Sequence, residues 1–222
     1  MTPARRPTRT AERVRRSQSE RAEQMRDRLL DATIDCLIRS GYSELSTNDI
    51  VRRARVSRGA LAHHYPTKAE LVTAAARRLV DERAADFRRR FGAVPPERRT
   101  PAEALELLWS FYAAPSGIAL VELTVAARHS RQLRAVLAPV AEQVAASTAE
   151  VFAEFFPERA GLPFTDQVLR TVHALFAGLA LSAMAAPDGD GHTAEVRTFL
   201  KHLVSLAETF APFAQSTVGS PA

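Results

Sequence analysis

Apolar residues recur at three- and four-residue spacing along most of this chain, and nowhere does an every-second-residue alternation persist. That pattern restricts the fold to helices, since a helix returns to the same face about every 3.6 residues and a strand every second one. From Glu20 to Ser40 the spacing runs through Met25, Leu29, Ala32 and Cys36, with Leu30, Ile34, Leu37 and Ile38 beside them, and Gly41 supplies the stop. Further helices are expected over 47–54, 58–64, 67–91, 101–114, 116–128, 131–156, 165–186 and 193–211. Segments rich in proline, glycine and aspartate at 157–163 and 187–191 separate the later ones. Pro139 lies inside one of them and is expected to kink or restart it. No internal repeat is present, and the expected class is all-α.

Charge is distributed unevenly. Residues 1–28 hold nine arginines against four acidic side chains, whereas residues 29–222 carry as many acidic as basic groups. Cut after Lys68, the first part has 15 basic and eight acidic residues and the rest 15 and 17. Such asymmetry points to a polyanion partner at the N-terminal end, or to a solvated basic tail. Residues 1–19, almost without apolar content, are expected to form a disordered basic arm. Residues 20–68 are then expected to form a first helical domain, 69–214 a second, larger helical domain, and 215–222 a flexible tail.

The single cysteine, Cys36, excludes an intrachain disulfide and a multi-cysteine zinc site, and its place on an apolar helix face reads as core packing. The arginine-rich start has no apolar signal region. The longest uncharged run, Thr171 to Pro187, is short of the roughly 20 residues a membrane span needs. A cytoplasmic protein with no membrane partner is expected.

Residues 47–65 read TNDIVRRARVSRGALAHHY: a short helix, a three-residue turn, and a second short helix opening with small residues. This is helix-turn-helix spacing, in which the second helix enters the major groove and the first crosses the backbone. Ser57 can cap the second helix, and Gly59 and Ala60 allow its start to come close to a partner. Arg58 has a fork suited to guanine or phosphate. Ser46, Thr47, Arg55, His63, His64, Tyr65 and Lys68 complete the candidate DNA-contacting set, mostly as donors to phosphate. Leu61 and Tyr65 also serve the core. An ordinary pair of surface helices in a larger bundle is the alternative that spacing alone leaves open.

Over residues 26–71 the sequence resembles the N-terminal domain of TetR-type regulators. The matching positions are Gly41, Tyr42, Ile50, Ala54, Val56, Ser57, Gly59, Leu61, His64, Lys68 and Leu71, with Ser46 and Tyr65 in place of the family's threonine and phenylalanine. Two positions depart from the pattern. Arg55 replaces a turn glycine, so a side chain is expected in an uncommon backbone conformation, and Ala62 replaces a tyrosine that typically contacts DNA. The resemblance implies a sequence-specific regulator, by default a repressor released from its operator by a small molecule of unknown identity, with activation as the alternative. It also implies an effector site and a homodimer interface in the second domain.

The sequence supports the dimer independently. Val196, Phe199, Leu203, Leu206 and Phe210 make an apolar seam, and 168–184 is apolar almost all round, so the helices over 165–186 and 193–211 are expected to meet a second copy. Trp109, Tyr112, Phe176 and Met184 are candidates to line an effector cavity or simply to fill core. Glu122, which interrupts an apolar run, and His173 are either ligand contacts or internally paired polar groups; for Glu122 the internal partners would be Arg128 or His129. No glycine-rich phosphate loop, nucleophile elbow or HExxH helix occurs, so neither enzyme activity nor a cofactor is expected. A membrane-surface role for the basic arm would need an amphipathic helix, which residues 1–19 do not encode.

Overall fold

The computed structural model describes the backbone of residues 9–186 and 191–217, and no strand occurs among them. The first part of the expected arm, the break before Gly191 and the end of the expected tail lie outside the described residues, as does the side chain of Phe210. The chain divides into two compact units, residues 1–78 and 79–222.

In the first unit, α1 (Arg9–Glu44) precedes two short helices, α2 (Thr47–Ala54) and α3 (Arg58–His64), and the opening turns of α4 (Lys68–Gly92). Residues 9–19, expected as disordered arm, are helical. Alanine, glutamate, glutamine and arginine are good helix formers, and extending an existing helix avoids the cost of nucleating one. Gly41, at φ 67°, breaks α1 where a side chain would be strained. Leu29, Ile50, Leu71 and Val72 are fully buried and join α1, α2 and α4. Burial of each contributes roughly 1.5–3 kcal/mol. Cys36 is buried among them as a small hydrophobe.

The division falls inside α4, later than the boundary expected after Lys68. Ala69, Leu71, Val72, Ala75 and Ala76 are buried, and Arg78 pairs with Asp27 and Asp31 of α1 at 2.9 Å each, so these turns belong to the first unit's core.

The second unit holds the rest of α4 followed by α5 (Pro101–Ala113), α6 (Pro115–Ala126), α7 (Arg131–Phe155), a single turn α8 (Pro157–Ala160), α9 (Thr165–Ala185) and α10 (Gly191–Thr217). Thr100 and Ser130 cap α5 and α7 by accepting backbone N–H bonds at 3.2 and 3.1 Å. α7 continues through Pro139 without a restart. A bend of 70° joins α5 to α6. It depends on Gly117, where a Cβ would lie 2.0 Å from the Phe111 carbonyl oxygen.

Leu105 and Trp109 of α5 pack with Val172, Phe176, Leu179 and Ala180 of α9, and Val196, Leu200 and Val204 of α10 close over them. The opposite faces of α9 and α10 are uncovered: Val168, Leu181, Met184, Phe199, Leu203 and Leu206 are each at least 40% exposed. By length and composition α9 could cross a membrane, as could α5 and α6 together with the 3₁₀ turn that ends at His129, if that bent pair is counted as one.

Candidate DNA interface and ligand cavity

Local capping fixes the helix-turn-helix. Ser46 Oγ accepts from the Asp49 N–H at 3.1 Å, and Ser57 Oγ accepts from the Ala60 N–H at 3.1 Å. Each cap stabilises its helix by about 1 kcal/mol. Arg55, at φ 54° and ψ 49°, adopts the left-handed conformation expected from its glycine-like position. This lets the Val56 N–H reach back to the Val51 carbonyl at 3.1 Å and close α2. Arg28 of α1 donates to the Ala54 and Arg55 carbonyls at 2.6 and 3.0 Å. Its cation sits at the negative end of α2, worth roughly 0.3–1 kcal/mol. The sequence pattern does not reveal this role, because the partners lie 26 and 27 residues away.

Bonding then sorts the arginines. Arg52 is paired with Asp49, and Arg53 with Asp35 at 2.6 Å. Arg55 and Arg58 are exposed and form no side-chain bond among the described residues, so both guanidiniums remain available to an anion. Around them lie the exposed Thr47, Ser57, Gly59 and His63. Leu61, 7% exposed, anchors the inner side of α3. Ala60, His64 and Tyr65 are half-buried. Burial, with the charges of His63 and Arg26, lowers the His64 pKa, and burial raises that of Tyr65. Lys68 faces inward: its amine lies 4.4 Å from the centre of the Tyr42 ring and donates to the Tyr42 carbonyl at 3.4 Å.

Gly59 has no steric need to be glycine, since a Cβ there would meet only Ser57 Oγ, at 3.9 Å. In a helix, glycine costs up to about 1 kcal/mol relative to alanine. The fold gains nothing from this residue, whereas a body approaching α3 from outside would.

The second unit contains a cavity of about 950 Å³. Its wall is largely aliphatic and aromatic, with Val80, Phe87, Val140, Val144, Phe152 and Val172 among its residues. Tyr112 and His173 are among the residues that line it. Trp109 and Phe176 instead pack edge to face in the adjoining core, ring centres 5.5 Å apart, and are not among the lining residues. Met184 points outward on α9, and Glu122 is also absent from the lining.

Three of the polar side chains that line the cavity form a directed chain. Thr148 donates to the Val144 carbonyl at 2.7 Å, so its oxygen accepts from His173 Nε2 at 2.8 Å. His173 Nδ1 then accepts the Tyr112 hydroxyl at 2.6 Å. Burial, aided by the Arg83 charge, pushes the His173 pKa down to about 4, so the ring is neutral, as the chain of bonds requires. Arg83, absent from the residues expected at this site, also lines the cavity, 5.6 and 5.4 Å from the ring centres of Phe111 and Tyr112.

The family profile described as bacterial regulatory proteins of the tetR family matches residues 29–75. A helix-turn-helix-type transcriptional regulator of Mycobacterium tuberculosis, itself uncharacterised, is 34% identical over 148 residues, covering 64% of this chain and 76% of the relative. The helix-turn-helix-type transcriptional regulator CymR of Pseudomonas putida is 32% identical over 120 residues, covering 54% of this chain and 59% of CymR. Among solved structures, the multidrug binding protein EbrR complexed with imidazole superposes with a TM-score of 0.57 at 25% identity, over 79% of this chain and 93% of that one. The same protein has also been solved with ethidium.

Proposed function

The chain belongs to the tetR family of bacterial regulatory proteins and is a DNA-binding transcriptional regulator rather than an enzyme; from that premise we propose that it is a homodimeric repressor released from a pseudo-palindromic operator by a small molecule. One observation carries this reading: an exposed α3 with Arg55 and Arg58 unpaired among the described residues in the first unit, and a large, mainly apolar cavity in the second. The first is suited to the major groove, the second to a compact organic ligand. That EbrR has been solved with small organic molecules supports the assignment of the cavity.

In the dimer, the uncovered faces of α9 and α10 meet their symmetry mates, which buries Phe199, Leu203 and Leu206. Two copies of α3 then address half-sites one helical turn apart, roughly 34–36 Å, or a multiple of that. Such a protein acts in the cytoplasm, where its operator is. Ligand binding in the second unit weakens operator affinity, and the operator must weaken ligand binding by the same factor, typically about 5–150-fold.

The test is selection of a duplex from a random pool, followed by anisotropy titrations of that duplex with and without candidate ligands. A selected palindrome bound by a dimer, with affinity that falls on adding a ligand, is the expected result. A monomer at micromolar concentration that selects no sequence would overturn the proposal.

A further inference from the structure

Every donor in the cavity's hydrogen-bond chain is spent: the Tyr112 hydroxyl on His173, His173 Nε2 on Thr148, and the Thr148 hydroxyl on the Val144 carbonyl. Arg83 is different. Its Nη2 is buried with no hydrogen-bond partner, and no carboxylate among the described residues pairs with the side chain. Glu142 and Asp166, the carboxylates that border the cavity, are both exposed, and neither is bonded to it. The rings of Phe111 and Tyr112 give the guanidinium partial cover, but a π face does not replace an acceptor in the plane of the fork. A buried lysine could escape by losing its proton, whereas an arginine cannot, so the positive charge persists. Arg83 as a whole is half-buried, but a cation whose inner nitrogen has no acceptor is costly, and an apolar side chain of similar volume would suit this wall better.

We propose that the cavity takes an amphipathic monocarboxylic acid, its carboxylate held by Arg83 and its apolar body by the aliphatic and aromatic wall. This deepens the reading of the cavity as an effector site and rests on it. One unpaired fork matches one planar carboxylate. The neutral His173 adds no cation beside it, and of the other two arginines that border the cavity Arg170 is exposed to solvent and Arg159 is half-buried. An organic cation would bring its charge against Arg83. The volume lies near the upper end of the range for compact ligand sites, so the body can exceed a single ring.

The experiment uses the full chain and three probes of one shape: 4-phenylbutanoate, 4-phenylbutanamide and 4-phenylbutylamine. Calorimetry gives their affinities, and thermal melting is recorded for the wild type, Arg83→Met and Arg83→Gln. The acid should bind at least about tenfold more tightly than the amide or the amine, the difference expected of one charge-assisted bond. Both variants should lose that preference while still binding the amide, and Arg83→Met should melt higher than the wild type without ligand. An amide or amine that binds as well as the acid, or a preference that survives in both variants, overturns the proposal while leaving the cavity a ligand site. Lower melting of both variants would mark Arg83 as a structural cation and also overturn it. Failure of all three probes to bind removes the effector reading together with this one.

Discussion

Gly59 and Gly117 occupy opposite environments, and substituting each tests a different claim. At Gly59 an added methyl enters open space, so Gly59→Ala should leave the melting temperature unchanged or raise stability by up to about 1 kcal/mol. Operator affinity should nevertheless fall several-fold, because the methyl lies where the DNA must approach; unchanged affinity would remove Gly59 from the interface. At Gly117 the methyl would collide with backbone, and Gly117→Ala should cost on the order of 3 kcal/mol in denaturant unfolding. His173 provides a pH test. Its folded pKa of about 4 lies below the ordinary value of 6.5, so between these values the unfolded chain binds the extra proton. Stability from this group is therefore fully present above pH about 6.5 and is lost as pH falls toward 4, on the order of 3 kcal/mol in all. His173→Gln should flatten the fall in melting temperature across that window, and a parallel curve would mean that the ring is not held neutral.

Among the elements, those set by local chemistry are legible in the sequence and those set by distant partners are not. Ser57 and Thr67 cap their helices as their residue types and positions indicate, and Gly41 breaks α1, because such signals act within a few residues of themselves. α8 escapes such reading: Pro157 and Gly161 mark a break, yet one helical turn fits between them. Tyr112 lines the cavity, but Trp109 and Phe176, equally aromatic and at the same spacing, belong to the core, which periodicity cannot distinguish. A usable signal for Arg83 is present, since it interrupts the apolar stripe of Leu79, Val80, Ala84 and Phe87 on α4. The apolar surface of α9 and α10 yields its own prediction. Phe199→Glu with Leu203→Glu should convert the protein to a monomer in sedimentation equilibrium with the helical circular dichroism retained, since both side chains are exposed within one chain. Loss of helicity would instead place these residues in the core.

At the scale of the whole molecule, the first 19 positions concentrate six arginines, and the core residues among those described begin at Leu29. Deleting residues 1–19 removes six arginines and should make log K against log salt shallower by roughly 0.9 for each of them that neutralises a phosphate. Melting should barely change, and an unchanged salt slope would show that the arm does not touch DNA. Trp109, the only tryptophan in the chain, lies in the second unit beside Phe176, whereas the helix-turn-helix lies wholly in the first. The protein thus carries its native fluorophore in the unit that holds the cavity: ligand capture should alter the emission directly, while operator addition has no local means of doing so. Any shift in the tryptophan spectrum on titrating duplex into unlabelled protein would therefore be an optical record of communication along the chain.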